Sequence, residues 1–233
     1  MINNLDKKSV ENKNIKFFDR NINYQKNIEK IDTYKNINFH LSKSLDGTDF
    51  LLDIGHGGIF DYQTANIKQI CGLDLSVMNY SNLPKNIKLF IGSVLNIPKN
   101  LNSFDKVLMN MLLHHVTGKN VEENFNNLRL SINQAKKALK KNGELIIVES
   151  CVPYWFYLFE KIVYRLASFF LLKFFNPPPV FQYTSDQILK VLRESGFKKI
   201  TLKKIKQGKL ILQFGYKFPS FLTPVSTIIF KAT

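Results

Sequence analysis

The stretch Phe50–Asp61, FLLDIGHGGIFD, sets four apolar residues around one carboxylate and then places three glycines within four positions. An apolar run this short and this abruptly ended reads as a buried strand over residues 50–54. Gly55, Gly57 and Gly58 follow it. A turn stripped of side chains either permits positive φ in a plain strand-to-helix connection or lets backbone come very close to a ligand. Taken alone, the twelve residues fit both.

Working outward, further apolar runs read as strands: ICGLDL at 70–75, KLFIG at 88–92, FDKVLMNM at 104–111 and ELIIVES at 144–150. Helix-like segments separate several of them. The clearest is VEENFNNLRLSINQAKKALK at 121–140, with acids in its first turn, lysines in its last and Gly143 soon after. Strands alternating with helices predict an α/β fold with a doubly wound, parallel sheet. In such sheets ligands bind beyond the carboxyl ends of the strands, where the glycine turn lies. Residues 1–49 are polar with scattered aromatics (Phe17, Phe18, Tyr24, Tyr34, Phe39) and read as an N-terminal helical cap over one end of the core, leaving 50–233 as the main domain.

Asp74 closes the second strand, 21 positions after Asp53. An acid at that distance beyond a glycine turn can accept from ribose hydroxyls, or it can simply cap a helix. Asp53 separates two classes of nucleoside ligand. A carboxylate inside the strand end repels a pyrophosphate and favours an ammonium or sulfonium.

Residues 50 to about 205 resemble a class I S-adenosylmethionine-dependent methyltransferase of the type 11/12 kind. LLDIGHGG resembles the family's first motif, GLDLS its ribose-binding loop, GSVLNIP at 92–98 its adenine loop, FDKVLMNMLLHHV its fourth-strand motif and ALKKNGELIIVES its turn into the fifth strand. The resemblance implies a Rossmann-like sheet of seven mostly parallel strands in the order 3-2-1-4-5-7-6, with S-adenosylmethionine as cofactor and S-adenosylhomocysteine as product. It also implies that Asp53, Gly55, Gly57 and Gly58 surround the methionine part, Asp74 and Leu75 the ribose, Ser93 and Val94 the adenine, and Asn110 the amino-acid end through its backbone. Two positions depart from the family: Ile59 stands where a third glycine is common, and Ser93 where an aspartate is. A hydroxyl accepts the adenine amino group more weakly than a carboxylate does.

Methyl transfer is an in-line displacement, so the protein's task is alignment, with a base where the nucleophile is a hydroxyl. His114 and His115 follow the fourth strand, and imidazole titrates near neutrality. Either is a candidate base, and either fits equally well as a capping or packing residue. Glu149, ending the fifth strand, is a candidate for orienting substrate or for capping the next segment. Residues 151–183, CVPYWFYLFEKIVYRLASFFLLKFFNPPPVFQY, read as a helical lid inserted after the fifth strand, before a helix capped by Thr184 or Ser185. Phe156, Phe159, Val163, Phe170 and Phe174 fall broadly on one helical face, interrupted elsewhere by Glu160, Lys161, Arg165 and Lys173. Three roles stay open for it: packing on the core, forming a lipid-substrate pocket, or lying on a membrane surface. Tyr154, Trp155, Gln182 and Tyr183 at its hinges are the expected substrate contacts. NPPP at 176–179 looks like the motif of base-directed amino methyltransferases, but it sits in the lid instead of after the fourth strand, and its prolines read as a helix stop.

The 233 residues, 45% hydrophobic, suffice for one substantial core. Cys71 and Cys151 have no metal-ligand spacing with the four histidines, so no metal is expected. The strand order places them on the second and fifth strands, about 14 Å apart and beyond disulfide reach. The polar N-terminus carries no apolar leader, which predicts a cytoplasmic protein. The net charge of +15 is concentrated in residues 135–210, which hold 15 basic and five acidic residues. Many of those lysines fall on helix ends and strand faces that are solvated in any case, so nucleic acid is disfavoured as a partner and peripheral membrane contact stays open. The expected function is methylation, on oxygen, of a small-molecule, glycan or lipid-like acceptor. The alternatives are a cofactor-fold binding or scaffold protein without catalysis, and an RNA methyltransferase using the basic second half.

Overall fold

The computed structural model describes residues 31–76, 83–174, 180–213 and 216–233. Phe17, Phe18, Tyr24 and residues 176–179 lie outside these, as do the side chains of Arg165, Phe170, Lys173 and Phe174. Helix α1 (Asp32–Leu45) leads into β1 (Phe50–Ile54), β2 (Gln69–Asp74), β3 (Ile87–Ile91) and β4 (Phe104–Asn110). A short 3-10 turn at Leu113–His115 precedes α2 (Val121–Ala138) and β5 (Leu139–Cys151). Then come α3 (Tyr154–Phe174), α4 (Ser185–Glu194), β6 (Ile200–Lys204), the hairpin β7 (Leu210–Gln213) and β8 (Tyr216–Pro219), a 3-10 turn at Ser220–Leu222, and β9 (Ser226–Ala232).

Seven strands form one sheet in the order β3-β2-β1-β4-β5-β9-β6. With the β7–β8 hairpin set aside as a separate two-stranded unit, this is the expected order 3-2-1-4-5-7-6. The first five strands run parallel, and β9 inserts antiparallel between β5 and β6. Strand residues alternate between two cores. Leu52, Ile54, Val107, Met109, Leu145 and Ile147 face the layer of α2, α3 and α4. Leu51, Ile70, Leu108, Ile146 and Val148 face Ile37, Leu41 and Leu45 of α1. Burial on both faces explains why these strands read as continuous apolar runs. The second core also corrects the expected position of the N-terminal region: α1 lies flat on a sheet face, not over an end.

Two further expectations give way. No helix follows the glycine turn. Among the described residues, 55–68 are irregular, and α1, which precedes β1, covers the face that a helix after β1 would occupy. Helix α2 ends at Ala138 instead of residue 140, because Leu139 already pairs with Phe104 at the start of β4. Gly143 makes that crossing feasible, since a Cβ there would lie 3.0 Å from the carbonyl oxygens of Phe104 and Asp105. Cys71 and Cys151 are buried free thiols on β2 and β5, as the strand order requires.

Helix α4 starts where the sequence indicates. The Thr184 hydroxyl accepts from Gln187 N, and the Gln187 side chain accepts from Thr184 N, a reciprocal capping box. Thr184→Ala removes half of it and is expected to cost about 1 kcal/mol, a fall of roughly 2–4 °C in melting temperature for a chain of this size. Thermal unfolding measures it, and an unchanged midpoint would show that the cap contributes nothing.

Candidate active site

Strand β1 carries Asp53 into the interior, where it is 2% exposed. Its Oδ2 accepts from the Tyr62 hydroxyl at 2.7 Å, while Oδ1 is buried without a hydrogen-bond partner among the described residues. Burial pushes the Asp53 carboxyl up to about 7; the Tyr62 bond opposes this, and the charges of Asp61 and Asp74 add to it. The chain beyond bends sharply through Gly55, Gly57 and Gly58, at φ 71°, 54° and 89°. Gly55 N donates to Leu73 O, and Gly57 N donates to Asp74 Oδ2 at 2.9 Å, so the turn is stitched to the end of β2. A Cβ added at Gly57 would meet open space, so here the glycine serves conformation and leaves an accessible backbone. His56 turns inward, stacks on Phe60 at 4.9 Å and accepts from Gly58 N. Burial holds its ring below the usual pKa. Gly72 makes room for it, because a Cβ there would lie 2.8 Å from His56 Nε2.

Asn110 ends β4 and donates through Nδ2 to Asp61 at 2.9 Å, and its buried Oδ1 also lacks a described partner. Asp53, Asp61 and Asp74 thus converge around one glycine turn, with two orphaned acceptors, Asp53 Oδ1 and Asn110 Oδ1, buried beside it. With no helix after the turn, no helix N-terminus adds positive potential. The donor set suits a cation bearing hydrogen-bond donors and opposes a pyrophosphate. An ammonium with a neighbouring sulfonium fits these residues. The ribose-loop and adenine-loop candidates follow at the ends of β2 and β3. Leu75 follows Asp74 at half-exposed depth, Asp74 Oδ1 accepts from Ser76 N, and the Ser93 hydroxyl accepts from Leu95 N at 3.3 Å. The Val94 side chain is buried in the core.

The turn after β4 packs directly on the glycine turn: a Cβ on Gly55 would overlap the Leu112 side chain. Two residues further on stands His114, whose Nδ1 lies 2.6 Å from Glu149 Oε1. Glu149 has no exposed surface. Besides the imidazole, it accepts from the backbone of Leu113, His114 and Ser150 and from the Ser150 hydroxyl. Five donors satisfy it as a buried carboxylate. Because a carboxylate only accepts, Nδ1 carries the hydrogen, and in the neutral ring Nε2 is the nitrogen with the lone pair. The His115 ring lies against that of His114, centroids 4.1 Å apart and planes tilted by 44°. Burial first, then the neighbouring His114, lowers its pKa well below the usual value and keeps it neutral.

The structure brings His114, His115, Glu149 and Gln182 together. The Gln182 amide reaches the Ser150 hydroxyl at 3.4 Å, and Gln182 N donates to both oxygens of Glu160. Two hinge expectations are corrected. Tyr183 is 1% exposed and donates to Asn124 O, a core position set by rings of Phe125 and Phe181 at 5.6 and 5.2 Å. Tyr154 and Trp155, about two-thirds exposed, sit on the outer surface, because the inner face of α3 is taken by Tyr157 and Tyr164 packing on Phe181. Three residues were missed. Asp61, Tyr62 and Glu160 belong to no motif and reach the site only through the fold. Burial pushes Glu160 up to about 7, with Gln182 N and His114 opposing.

Residues 52–147 match the family model described as a methyltransferase domain. Solved structures of similar fold include N-methyltransferase NodS of Bradyrhizobium japonicum in complex with S-adenosyl-L-homocysteine, at 13% identity over 85% of each chain and TM-score 0.54. A SAM-dependent methyltransferase of Methanosarcina mazei aligns at 16% identity over 84% of this chain and 96% of that one, with TM-score 0.52. A chain from the Haloferax volcanii complex containing the Trm112 methyltransferase activator aligns at 14% identity over 87% and 90%, with TM-score 0.59. No curated protein matches the sequence. Residues 52–147 thus match a methyltransferase domain, and the sheet around them has the fold of solved S-adenosylmethionine-dependent methyltransferases. S-adenosylmethionine is the cofactor of that family.

A raised carboxyl pKa has a defined effect on the unliganded protein. Asp53 goes from an ordinary 3.8 when unfolded to about 7 when folded. Between those values the native state binds more protons, so this group's contribution to stability falls as pH rises from about 4 to about 7. Replacing it by Asn is expected to flatten that part of the curve. Melting temperatures of both proteins at pH 5 and pH 8, without ligand, provide the comparison; parallel profiles would refute the burial cost assigned to Asp53.

Proposed function

We propose that the protein methylates an oxygen of a small-molecule, glycan or lipid-like acceptor, using S-adenosylmethionine, with His114 as the base. The observation that carries this is the His114–Glu149 pair, placed in the turn that packs on the glycine loop. Asp53, Gly55, Gly57 and Gly58 would hold the methionyl portion, Asp74 and Leu75 the ribose, Ser93 and the Val94 backbone the adenine, and Asn110 with Asp61 the amino-acid end. When bound, S-adenosylmethionine would supply an electrophilic methyl on sulfur, with a neutral thioether as its leaving group, and the chain's own residues would align the acceptor oxygen with it. His114 Nε2 takes the acceptor proton, and Glu149 holds the opposite nitrogen so that the lone pair faces one way. His115, kept neutral, adds no competing charge beside it. We read residues 1–49 as an N-terminal region and 50–233 as the catalytic domain, and the expected compartment is the cytoplasm.

Glu149→Gln and His114→Asn are each expected to lower kcat by about 10²–10⁴-fold while leaving S-adenosylhomocysteine affinity intact. A panel of phenols, sugars and hydroxylated lipids with labelled methyl donor provides the assay. Transfer to a nitrogen acceptor, or full activity in His114→Asn, would overturn the assignment.

Cofactor affinity should also follow the Asp53 proton. A cationic ligand favours the carboxylate, so binding holds above about pH 7 and weakens roughly tenfold per unit below it. Calorimetric titration across that range checks the slope, and a flat profile would remove Asp53 from the ligand's first contacts.

A further inference from the structure

Helix α3 is packed with its aromatic face inward and a second apolar face outward. Tyr157 and Tyr164 are buried, with Glu160 between them holding the return segment. On the other side Trp155, Leu158, Phe159 and Ile162 are 64%, 39%, 57% and 77% exposed. Their spacing of three, four and seven residues makes one stripe along the helix, adjoined by Tyr154 and flanked by exposed Lys161. A helix with an aromatic face directed inward and a second apolar face directed outward departs from the usual surface helix, whose outer face is polar.

Sheet register places two further features at the same end. Cys151 of β5 pairs with Ser226 of β9, so the turn holding Phe221 and Leu222, 83% and 66% exposed, enters the sheet where α3 leaves it. Lys204 pairs with Ile228, so β6 also ends on this side. Beyond it Lys206 and Lys209 are exposed like Lys204, and among the described residues none of the three forms an ion pair. Asp32 packs beside Gly208 and is paired with Lys35. After Glu194 the sequence contains eight lysines and no acidic residue.

We propose that this end of the molecule docks on the surface of an anionic phospholipid bilayer. The α3 stripe and the Phe221–Leu222 turn sit at the boundary of headgroups and acyl chains, and the lysines meet lipid phosphates. Among the described residues no helix is long and apolar enough to cross a membrane. The uncompensated positive charge selects a negatively charged partner, and the stripe of Leu, Phe and Ile offers nothing to a nucleic-acid backbone while suiting acyl chains. This docking does not depend on methyl transfer, and it leaves the strand ends that carry His114 facing the same side.

Trp155 is the single tryptophan of the chain and lies on the proposed surface, so its emission reports contact directly. With vesicles of phosphatidylcholine and phosphatidylglycerol, emission should shift to the blue, be quenched by brominated lipid, and recover as salt is raised. Vesicles of phosphatidylcholine alone should produce little change. Phe159→Ser with Ile162→Ser should abolish co-sedimentation, and Lys204→Glu with Lys206→Glu and Lys209→Glu should weaken it by at least about 10²-fold. Both variants should keep S-adenosylhomocysteine binding, which certifies the fold. Absence of a shift with either vesicle, equal response to both, variants that bind like the parent, or Trp155 already shielded in a self-associated form on size exclusion would each overturn the proposal. Salt-sensitive RNA binding without vesicle binding would overturn it too.

Discussion

Two carboxylates lie buried at the ends of parallel strands, and the difference in how they are satisfied organises this molecule. Glu149 receives five hydrogen bonds, from its own strand and from the turn after β4. It is a finished piece of structure that fixes where His114 stands. Asp53 receives one hydrogen bond and keeps an orphaned oxygen. Burying it this way costs folding free energy that a bound cation can return. One acid holds the chain's own groups, and the other is incomplete without something from outside.

The two acids are linked by short range geometry. Leu112 rests on Gly55, so the turn that presents His114 and the turn that bends beyond Asp53 cannot shift independently. Tyr62 and Asp61 come back from the irregular 55–68 segment to bind Asp53 and Asn110, which are on neighbouring strands. The site is therefore built by loop residues locked to a rigid sheet, the usual division of labour in α/β proteins.

Much of the fold was legible because each central strand is buried on both faces and so appears as a bounded apolar run. Asp53, the three glycines and Asp74 were legible because they lie on or beside such runs. The absence of a helix after β1 was not, since residues 59–68 contain nothing that forbids one as firmly as a proline would. Asp61, Tyr62 and Glu160 were invisible because their partners are far away in sequence or on another element. The hinge contacts were misplaced for another reason: helix α3 carries apolar residues on two faces, and periodicity cannot say which of two such faces meets the core. Tyr183 followed from that error, as the return segment packs beneath the tyrosine face. The alternation of cores also hid the placement of α1, whose Ile37, Leu41 and Leu45 look like any amphipathic stripe until the sheet face left open by the missing helix is known.

Strand β9 bears on how the chain is made. It is the partner of both β5 and β6, and it comes after the lid helix, α4, β6 and the hairpin. During synthesis β5 therefore leaves the ribosome with Leu145–Val148 forming an open, apolar edge, and β6 has no strand beside it. Until Ile228–Phe230 arrive, this edge can recruit strands from other chains. The interval during which this edge stays unpaired is thus set by the distance between β5 and β9, and the length of the lid insertion sets much of that distance.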